Sequence, residues 1–196
     1  MNKQFQLLSK GFATSGITFH LAGIDWTINT TWASNLPENQ YPNPDPMRKK
    51  LRKGTYADLN LYYMSSYAVG NPNATGTCWY PLRTAPARTS GEFIRDGCSM
   101  RSETLPGSPC QVKGHCYLGV TTTHEVGHWF GLQHTHQDGC TDPGDGIDDT
   151  PAHLYNSTLR GCPPDNTRNT CTPDVKGAPF DTGFDPIHNF MSYMNE

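Results

Sequence analysis

The chain has few hydrophobic residues and no long hydrophobic run. Hydrophobic residues make up 35% of its 196 positions, and no stretch approaches the roughly 20 apolar residues that a membrane-spanning helix needs. The chain also lacks a large excess of positive or negative charge, because its formal net charge is −3. Its one basic cluster, at residues 48–53, is interpreted as the exposed face of a helix. We therefore expect neither a membrane nor a nucleic-acid partner.

Two further patterns are missing. Residues 1–15 contain no apolar segment typical of a signal peptide, so we expect signal and pro-segment to be absent from this chain. No Cys-x2-Cys pair occurs, which disfavours a cysteine zinc site. The seven cysteines and the sequons at Asn29, Asn73 and Asn156 nevertheless indicate an oxidising, glycosylating route. We predict a secreted protein, represented here by an isoform, a gene-prediction product or a piece of a longer precursor.

The length suits one domain with its own core. Apolar residues recur at helical spacing from residue 5 to 12 and alternate like a strand over 17–21, and a second helix after Pro46 precedes another alternating segment at 59–63. Residues 69–114 are rich in Gly, Pro, Ser and Thr, which predicts short strands and long loops. One of these strands is expected to border a cleft and bind extended peptide by strand addition.

The pattern that indicates chemistry lies at residues 124–134, which spell H-E-x-x-H-x-x-G-x-x-H. On a helix, His124 and His128 lie on one face about 6 Å apart along the axis, so both can reach a metal at about 2.1 Å. Glu125 lies one residue round the helix, where its carboxylate can contact a zinc-bound water as a general base. The spacing therefore predicts a hydrolytic zinc site.

The third histidine requires the helix to stop. A continuing helix would rotate His134 by roughly 240° from His128 and carry it about 9 Å further on. Gly131 can take the left-handed conformation at little cost and turn the chain so that His134 becomes a third ligand. Two alternatives remain open: the histidines form an ordinary solvated or core face of a helix, or they form a zinc site that has lost catalysis.

Residues 124–134 match the zinc signature of the metzincins, and Met191 fits the Met-turn expected further along. The chain resembles one metzincin branch, the pappalysin family, and especially its secreted fungal and bacterial endopeptidases. The resemblance is carried by residues 118–119, 123–129, 138–140, 144–151, 161–163 and 185–191, and more weakly by 12–21, 51–61 and 96–107.

The resemblance implies a fold and a domain organisation. It implies an α/β (α+β) zincin with a twisted mixed sheet and two long helices in the N-terminal half, one of them carrying His124 and His128. The C-terminal half would be irregular and stapled by disulfides. Residues 1–196 would form one catalytic domain, with an N-terminal subdomain over about 1–134 and a C-terminal subdomain over about 135–196.

The resemblance also assigns roles by position. His124, His128 and His134 would bind zinc, with Glu125 as general base and proton shuttle. Met191 would form the floor under the metal. Tyr193 would hydrogen-bond the tetrahedral intermediate, although it can equally be a packed aromatic residue.

The cysteines and the end of the chain carry further expectations. Similarity to the family suggests a Cys140–Cys171 disulfide and leaves Cys162 without a partner, whereas three pairings stay open for Cys78, Cys98, Cys110 and Cys116. Ser192 replaces the usual Asp, and comparison with the family pattern implies that the segment after the Met-turn and a C-terminal helix are missing.

An acidic loop follows the motif. Five aspartates lie between residues 138 and 149, and relatives hold calcium in this loop, so Asp145, Asp149 and Thr150 are possible calcium ligands. The alternative is a solvated acidic loop with Asx-turns. Three further histidines, His136, His153 and His188, are expected to be structural or surface residues.

These observations predict a secreted, monomeric zinc endopeptidase acting on peptide or protein substrates. The rival is a zinc-binding pseudoprotease or interaction protein, inactivated by loss of the segment after the Met-turn. A third possibility is a chain that does not fold stably.

Overall fold

The structure is a computed structural model that describes residues 1–33, 46–65, 74–108, 118–141, 143–155, 167–172 and 183–193. Its contacts divide the chain into two compact units, Met1–Gly131 and Leu132–Glu196. The subdomain boundary expected near residue 134 stays a prediction. Several residues singled out in the sequence lie outside the described part, namely Asn73, Cys110, Cys116, Asn156 and Cys162.

Two helices in the described part of the first unit are longer than the others there. Helix α1 spans Asn2–Phe12 and continues into a 3-10 turn, and its buried face includes Leu8 and Phe12. Two short helices follow, α2 at Thr30–Ala33 and α3 at Pro46–Leu51, and α4 covers Gly91–Arg95. The last helix, α5 at Val120–Trp129, packs against α1, where the Gln4 side chain donates a buried 2.8 Å hydrogen bond to the Gly119 carbonyl.

Three short strands form a mixed sheet in the order β1-β3-β2. They are β1 at Leu61–Met64, β2 at Gly76–Cys78 and β3 at Cys98–Arg101, with β1 parallel and β2 antiparallel to β3. Cys78 and Cys98 are register partners and form a disulfide, which resolves one of the pairings that the sequence left open. Strand β2 therefore lies at one edge of the described sheet and is tied to its centre.

The core of this unit lies between the sheet and the two longest helices. Leu8, Phe12, Cys98, Met100 and Val126 form its buried cluster, and the side chains packed around it include the alternating residues predicted at 59–63. A mixed sheet with two principal helices confirms the predicted α/β fold class. None of the helices in the described ranges has the length and apolar character that crossing a membrane requires.

The strand predicted at residues 17–21 is wrong. The structure assigns no regular element to residues 17–29, and the segment joins no strand of the described sheet. Alternation is still present, because Ile17 and Phe19 pack against the core while Leu21 is 48% exposed. A side-chain pattern of period two reports which face is buried, but a strand also needs a backbone partner.

The second unit consists mainly of turns in the residues that the structure describes. A disulfide joins Cys140 to Cys171, the pairing that the family resemblance implies. Buried Asp185 accepts hydrogen bonds from the backbone N–H and the hydroxyl of Thr170, at 2.9 Å each. A crosslink and side-chain-to-backbone hydrogen bonds thus take the place of regular elements in this irregular part of the chain.

Candidate metal centre

Helix α5 presents the first two histidines of the motif on one face. The rings of His124 and His128 lie 4.8 Å apart and are nearly perpendicular, as four-residue spacing on a helix predicts. His128 is 6% exposed and Glu125 is 5% exposed, whereas His124 is half-buried. The helix thus places two imidazoles and one carboxylate close together, with His128 and Glu125 buried.

The helix ends directly after the second histidine. Its last residue is Trp129, and the N–H of Gly131 donates a 2.8 Å hydrogen bond to the His128 carbonyl. Gly131 has a φ of 97°, a left-handed conformation that a residue with a Cβ adopts only with strain. The chain therefore turns away from the helix axis before His134, as the motif requires.

The three histidines of the motif come together. One ring nitrogen from each of His124, His128 and His134 lies within 4.8 Å of the other two. A zinc ion bound to imidazole at about 2.0–2.1 Å fits among nitrogens so spaced if each ring moves by less than about 1 Å. The donor set also suits zinc, because neutral imidazole is one of its preferred ligands. The residues present therefore fit the metal that the motif implies.

The second nitrogen of His128 has a partner that the sequence did not reveal. The Tyr80 hydroxyl lies 3.1 Å from His128 Nδ1. Burial raises the pKa of Tyr80 above its ordinary value, and the negative charge of Glu125 adds to the effect, so the phenol stays neutral. A histidine whose Nδ1 is held by such a partner typically binds a metal through Nε2. No spacing pattern points to Tyr80, because it lies 48 residues before His128.

Glu125 also has a neighbour that sequence reasoning missed. Gly76 of β2 lies so close to Glu125 that a Cβ built on the glycine would fall 2.7 Å from Oε1 of the carboxylate. A glycine in a chain that contains 19 of them carries no recognisable signal in a single sequence. The contact follows from the packing of α5 against β2.

His134 lies among aromatic rings of the second unit. Its ring stacks on His136 with a centroid distance of 4.9 Å and meets Tyr193 edge-on at 4.6 Å. The Met191 carbonyl accepts a 3.2 Å hydrogen bond from the N–H of Thr135, and the Met191 side chain is 5% exposed. Met191 therefore lies next to the residue that follows the third histidine.

The remaining histidines differ in burial. Burial, with a smaller effect of His153, lowers the pKa of His136 to about 4, and burial also lowers the pKa of His153. His153 Nε2 lies 2.8 Å from the Thr135 hydroxyl, whereas His188 is exposed. Both shifted imidazoles are therefore neutral at pH 7, and His153 has a hydrogen-bonded place in the unit.

The acidic loop shows turn geometry. Asp145 Oδ1 accepts a 3.0 Å hydrogen bond from the N–H of Ile147, which is an Asx-turn. Among the His, Cys, Asp and Glu residues that the structure describes, the histidines of the motif are the one group of three or more whose ligand atoms converge. The calcium site at Asp145, Asp149 and Thr150 thus gains no support and stays a prediction.

The sequons are likewise untested. Asn29 lies just before α2, and its side-chain oxygen accepts a 3.1 Å hydrogen bond from the N–H of Trp32. The side chain therefore caps a helix in the unglycosylated chain. Glycosylation at Asn29 remains a prediction.

Comparison with known proteins identifies relatives along nearly the whole chain. The chain is 44% identical over 193 residues to an extracellular metalloprotease of Podospora anserina, 43% identical over 193 residues to one of Sordaria macrospora, and 42% identical over 193 residues to one of Neurospora crassa. Each alignment covers 98% of this chain but only 58%, 59% and 59% of the respective relative. The chain thus spans about three fifths of the length of these relatives.

Solved structures of mirolysin also align with the chain. One is a complex with a compound, at 24% identity and a TM-score of 0.47, and the other is mature mirolysin of Tannerella forsythia with a cleaved peptide, at 25% identity and a TM-score of 0.48. Each alignment covers 71% of this chain and 46% of the solved chain.

The family profile of Peptidase M43, described as pregnancy-associated plasma protein-A, matches residues 49–195. This match includes every position of the histidine motif and the Met-turn, and it covers well over half of the chain. The resemblance to the pappalysins is thereby confirmed, and the chain belongs to peptidase family M43.

Proposed function

We propose that this chain is the catalytic part of a secreted, zinc-dependent endopeptidase. The observation that carries the proposal is the convergence of His124, His128 and His134, next to a buried Glu125, in a member of a peptidase family. The extracellular metalloproteases that the chain is similar to support the same reaction and the same location. The disulfides Cys78–Cys98 and Cys140–Cys171 fit an oxidising compartment.

His124, His128 and His134 are proposed to hold the zinc ion. When bound, the metal supplies positive charge that acidifies water and polarises a carbonyl group. The contact between Tyr80 and His128 Nδ1 supports this assignment, because an imidazole that gives its Nε2 to a metal carries its proton on Nδ1 and can donate it to the phenol oxygen.

Glu125 is proposed as the general base and proton shuttle. Its carboxylate would take a proton from the attacking water and pass it to the nitrogen of the leaving amine, which must be protonated before it departs. The carboxylate belongs to a buried side chain on a helix, so its position is set by the fold and not by a mobile loop. This arrangement supports proton transfer between fixed atoms.

Tyr193 and Met191 are proposed to complete the site. The Tyr193 ring packs on His134 and the residue is 46% exposed, which keeps its hydroxyl accessible to a substrate and supports a role as hydrogen-bond donor to the developing oxyanion. Buried Met191, whose carbonyl bonds the residue after His134, is proposed as the floor of the site.

Strand β2 is proposed as the strand that binds extended substrate. It lies at an edge of the described sheet, and its first residue faces Glu125. Backbone groups on an edge strand can pair with a peptide and align its scissile bond along the strand direction. The proposed substrates are therefore peptides or unfolded protein segments that can adopt an extended conformation.

The test is cleavage of casein by the purified, oxidised chain. We expect cleavage that stops with 1,10-phenanthroline and returns with added zinc, and a metal content of one zinc per chain. Glu125→Gln keeps the shape of the side chain but removes its basicity, so kcat should fall by roughly 10²- to 10⁴-fold with zinc still bound. The matched control is Glu92→Gln on the exposed face of α4, which should cleave like the wild type.

Two results would contradict the proposal. Stoichiometric zinc without cleavage of any unfolded substrate would indicate a zinc-binding pseudoprotease. Cleavage that survives both the chelator and Glu125→Gln would show that another group, or a contaminating protease, performs the hydrolysis.

A further inference from the structure

The contact between β2 and helix α5 is unusually close at one point. An ideal Cβ built on Gly76 would lie 2.7 Å from Oε1, 2.8 Å from Cγ and 2.9 Å from Cδ of Glu125. Non-bonded carbon atoms prefer separations of about 3.5–4.0 Å, so no side chain fits at Gly76 while Glu125 keeps its place. The carboxylate therefore occupies the space that any other residue at position 76 would fill.

Backbone conformation does not explain this glycine. The φ of Gly76 lies outside the left-handed range, and the residue belongs to a strand, a conformation open to every amino acid. A glycine inside a strand weakens it, because it adds entropy to the unfolded chain and has no side chain to pack. What the glycine provides in the folded chain is room for the Glu125 side chain.

The backbone of β2 is held by several contacts around Gly76. Gly76 is the register partner of Met100, which is fully buried, and the N–H of Arg101 donates a 2.9 Å hydrogen bond to the carbonyl of Thr75. Two residues further on, the Cys78–Cys98 disulfide fixes the same strand. An added methyl group would therefore displace the Glu125 side chain, which turns about single bonds, and leave the backbone of β2 in place.

We infer that Gly76 is a positioning residue whose missing side chain sets the place of the Glu125 carboxylate. The inference rests on the proposed function, because the place of this carboxylate matters for hydrolysis only if Glu125 is the base. A displacement of about 1 Å at a reacting group can cost about 100-fold in rate. Gly76→Ala should therefore lower kcat about 100-fold with little change in KM, and zinc affinity should stay unchanged because Glu125 is not a proposed ligand.

The first experiment measures the contact without using activity. Melting temperatures are compared for the wild type, Gly76→Ala, Glu125→Ala and the double variant. Alanine at position 76 should lower the melting temperature by roughly 2–4 °C in the presence of Glu125, since it forces a buried side chain off its rotamer. In the Glu125→Ala background the obstructing atoms are gone, and the same change should cost nothing or stabilise the chain.

The second experiment measures kcat, KM and zinc affinity of Gly76→Ala. The matched control is Gly23→Ala, at an exposed position where an added Cβ meets nothing within 4 Å. Equal effects of Gly76→Ala on the melting temperature in the wild-type and Glu125→Ala backgrounds would overturn the inference, as would a wild-type kcat in Gly76→Ala. If Gly76→Ala does not fold, recovery of folding in the double variant supports the inference and continued misfolding overturns it.

These results separate the inference from the proposed function. A wild-type chain that cleaves nothing contradicts the proposed function, whereas the melting temperatures still decide whether Gly76 sets the position of Glu125.

Discussion

At the scale of single residues, Tyr80 matters because it faces the nitrogen of His128 that a metal would not use. Orienting partners of metal-binding histidines typically contribute 10- to 100-fold to metal affinity, since they fix the tautomer and the ring plane. The Tyr80 oxygen lies 3.1 Å from Nδ1, and the ring centroids of the two residues lie 5.3 Å apart. Both the hydroxyl and the packed ring therefore restrain the imidazole, and they can be separated by experiment.

Tyr80→Phe should weaken zinc binding by about tenfold, because it keeps the ring but removes the acceptor for the Nδ1 proton. The measurement is competition for zinc against a chromophoric chelator. Tyr63→Phe is the matched control, since the Tyr63 hydroxyl lies 2.8 Å from Thr122 Oγ1 on the same helix, away from the histidines. Equal zinc affinity of Tyr80→Phe and wild type would show that the phenol does not orient His128.

Tyr63 also makes the free energy of unfolding depend on pH in the alkaline range. Burial raises the pKa of Tyr63 to about 12, and a hydrogen bond with Thr122 partly opposes this rise. An unfolded tyrosine ionises near pH 10, so the unfolded chain loses this proton at a lower pH than the folded chain. The contribution of Tyr63 to stability is therefore fully present below pH 10 and is lost as the pH rises toward 12. The loss should amount to about 2–3 kcal/mol.

The measurement is urea unfolding of the wild type and Tyr63→Phe at pH 9 and at pH 12. Other tyrosines and lysines titrate in both proteins, so the difference between them isolates Tyr63. The free energy of unfolding should fall further with pH in the wild type. Parallel loss in both proteins would mean that Tyr63 ionises as readily in the folded as in the unfolded chain.

At the scale of elements, the edge strand β2 is short and packs closely against the Glu125 side chain. It has three residues, and one of them faces Glu125. Its ladder with β3 is correspondingly short, so the Cys78–Cys98 disulfide is an important restraint. The disulfide closes a loop with a sequence separation of 20, for which chain entropy suggests a stabilisation of roughly 3 kcal/mol.

Replacing Cys78 and Cys98 together by alanine should lower the free energy of unfolding by roughly 3 kcal/mol and speed amide exchange in β2. Hydrogen exchange read by mass spectrometry over residues 74–80 reports the local effect. The control is the same double change at Cys140 and Cys171, a disulfide of the second unit, which should destabilise its own unit and leave exchange over residues 74–80 slow. Unchanged exchange in the Cys78/Cys98 variant would mean that the ladder alone holds the strand.

The elements differ in how well the sequence predicts them. Helix α1 and strand β1 follow from apolar spacing, because their buried sides pack on one core. The strand expected at 17–21 fails because alternation does not supply a pairing partner. The Cys78–Cys98 pairing is open in the sequence because it depends on the register of β2 against β3. Local patterns thus predict the faces of elements, whereas pairing depends on contacts between distant segments.

The residues of the candidate metal centre also differ in how well the sequence predicts them. His124, Glu125, His128 and Gly131 are recognisable because the motif is local and helix geometry translates its spacing into positions. Tyr80 and Gly76 are not recognisable, since they approach the motif from a strand and a loop about fifty residues earlier and have no defined spacing to it. Residues within the local motif are therefore recognisable from the sequence, whereas residues that contact the motif from distant segments are not.

At the scale of the whole molecule, hydrophobic residues are few, and in the described residues their burial is uneven. The buried hydrophobic cluster belongs to the first unit, whereas the described part of the second unit combines a disulfide with buried polar residues such as His153 and Asp185. A chain with a limited apolar core gains proportionally more from a bound metal, because binding to the folded state alone adds to stability by mass action. Zinc is therefore expected to contribute to folding as well as to chemistry.

Free zinc at about 100 times its dissociation constant should stabilise the folded chain by about 2.7 kcal/mol, which for a chain of this size raises the melting temperature by roughly 5–10 °C above the chelator-treated protein. The measurement is calorimetry across a zinc series, in which the shift should grow with the logarithm of free zinc. His128→Ala should abolish the shift because two histidines hold the ion weakly. His20→Ala, at an exposed position outside the motif, should retain it. A shift that survives in His128→Ala would locate the stabilising zinc elsewhere, and no shift in the wild type would mean that the three histidines do not retain zinc in the folded chain.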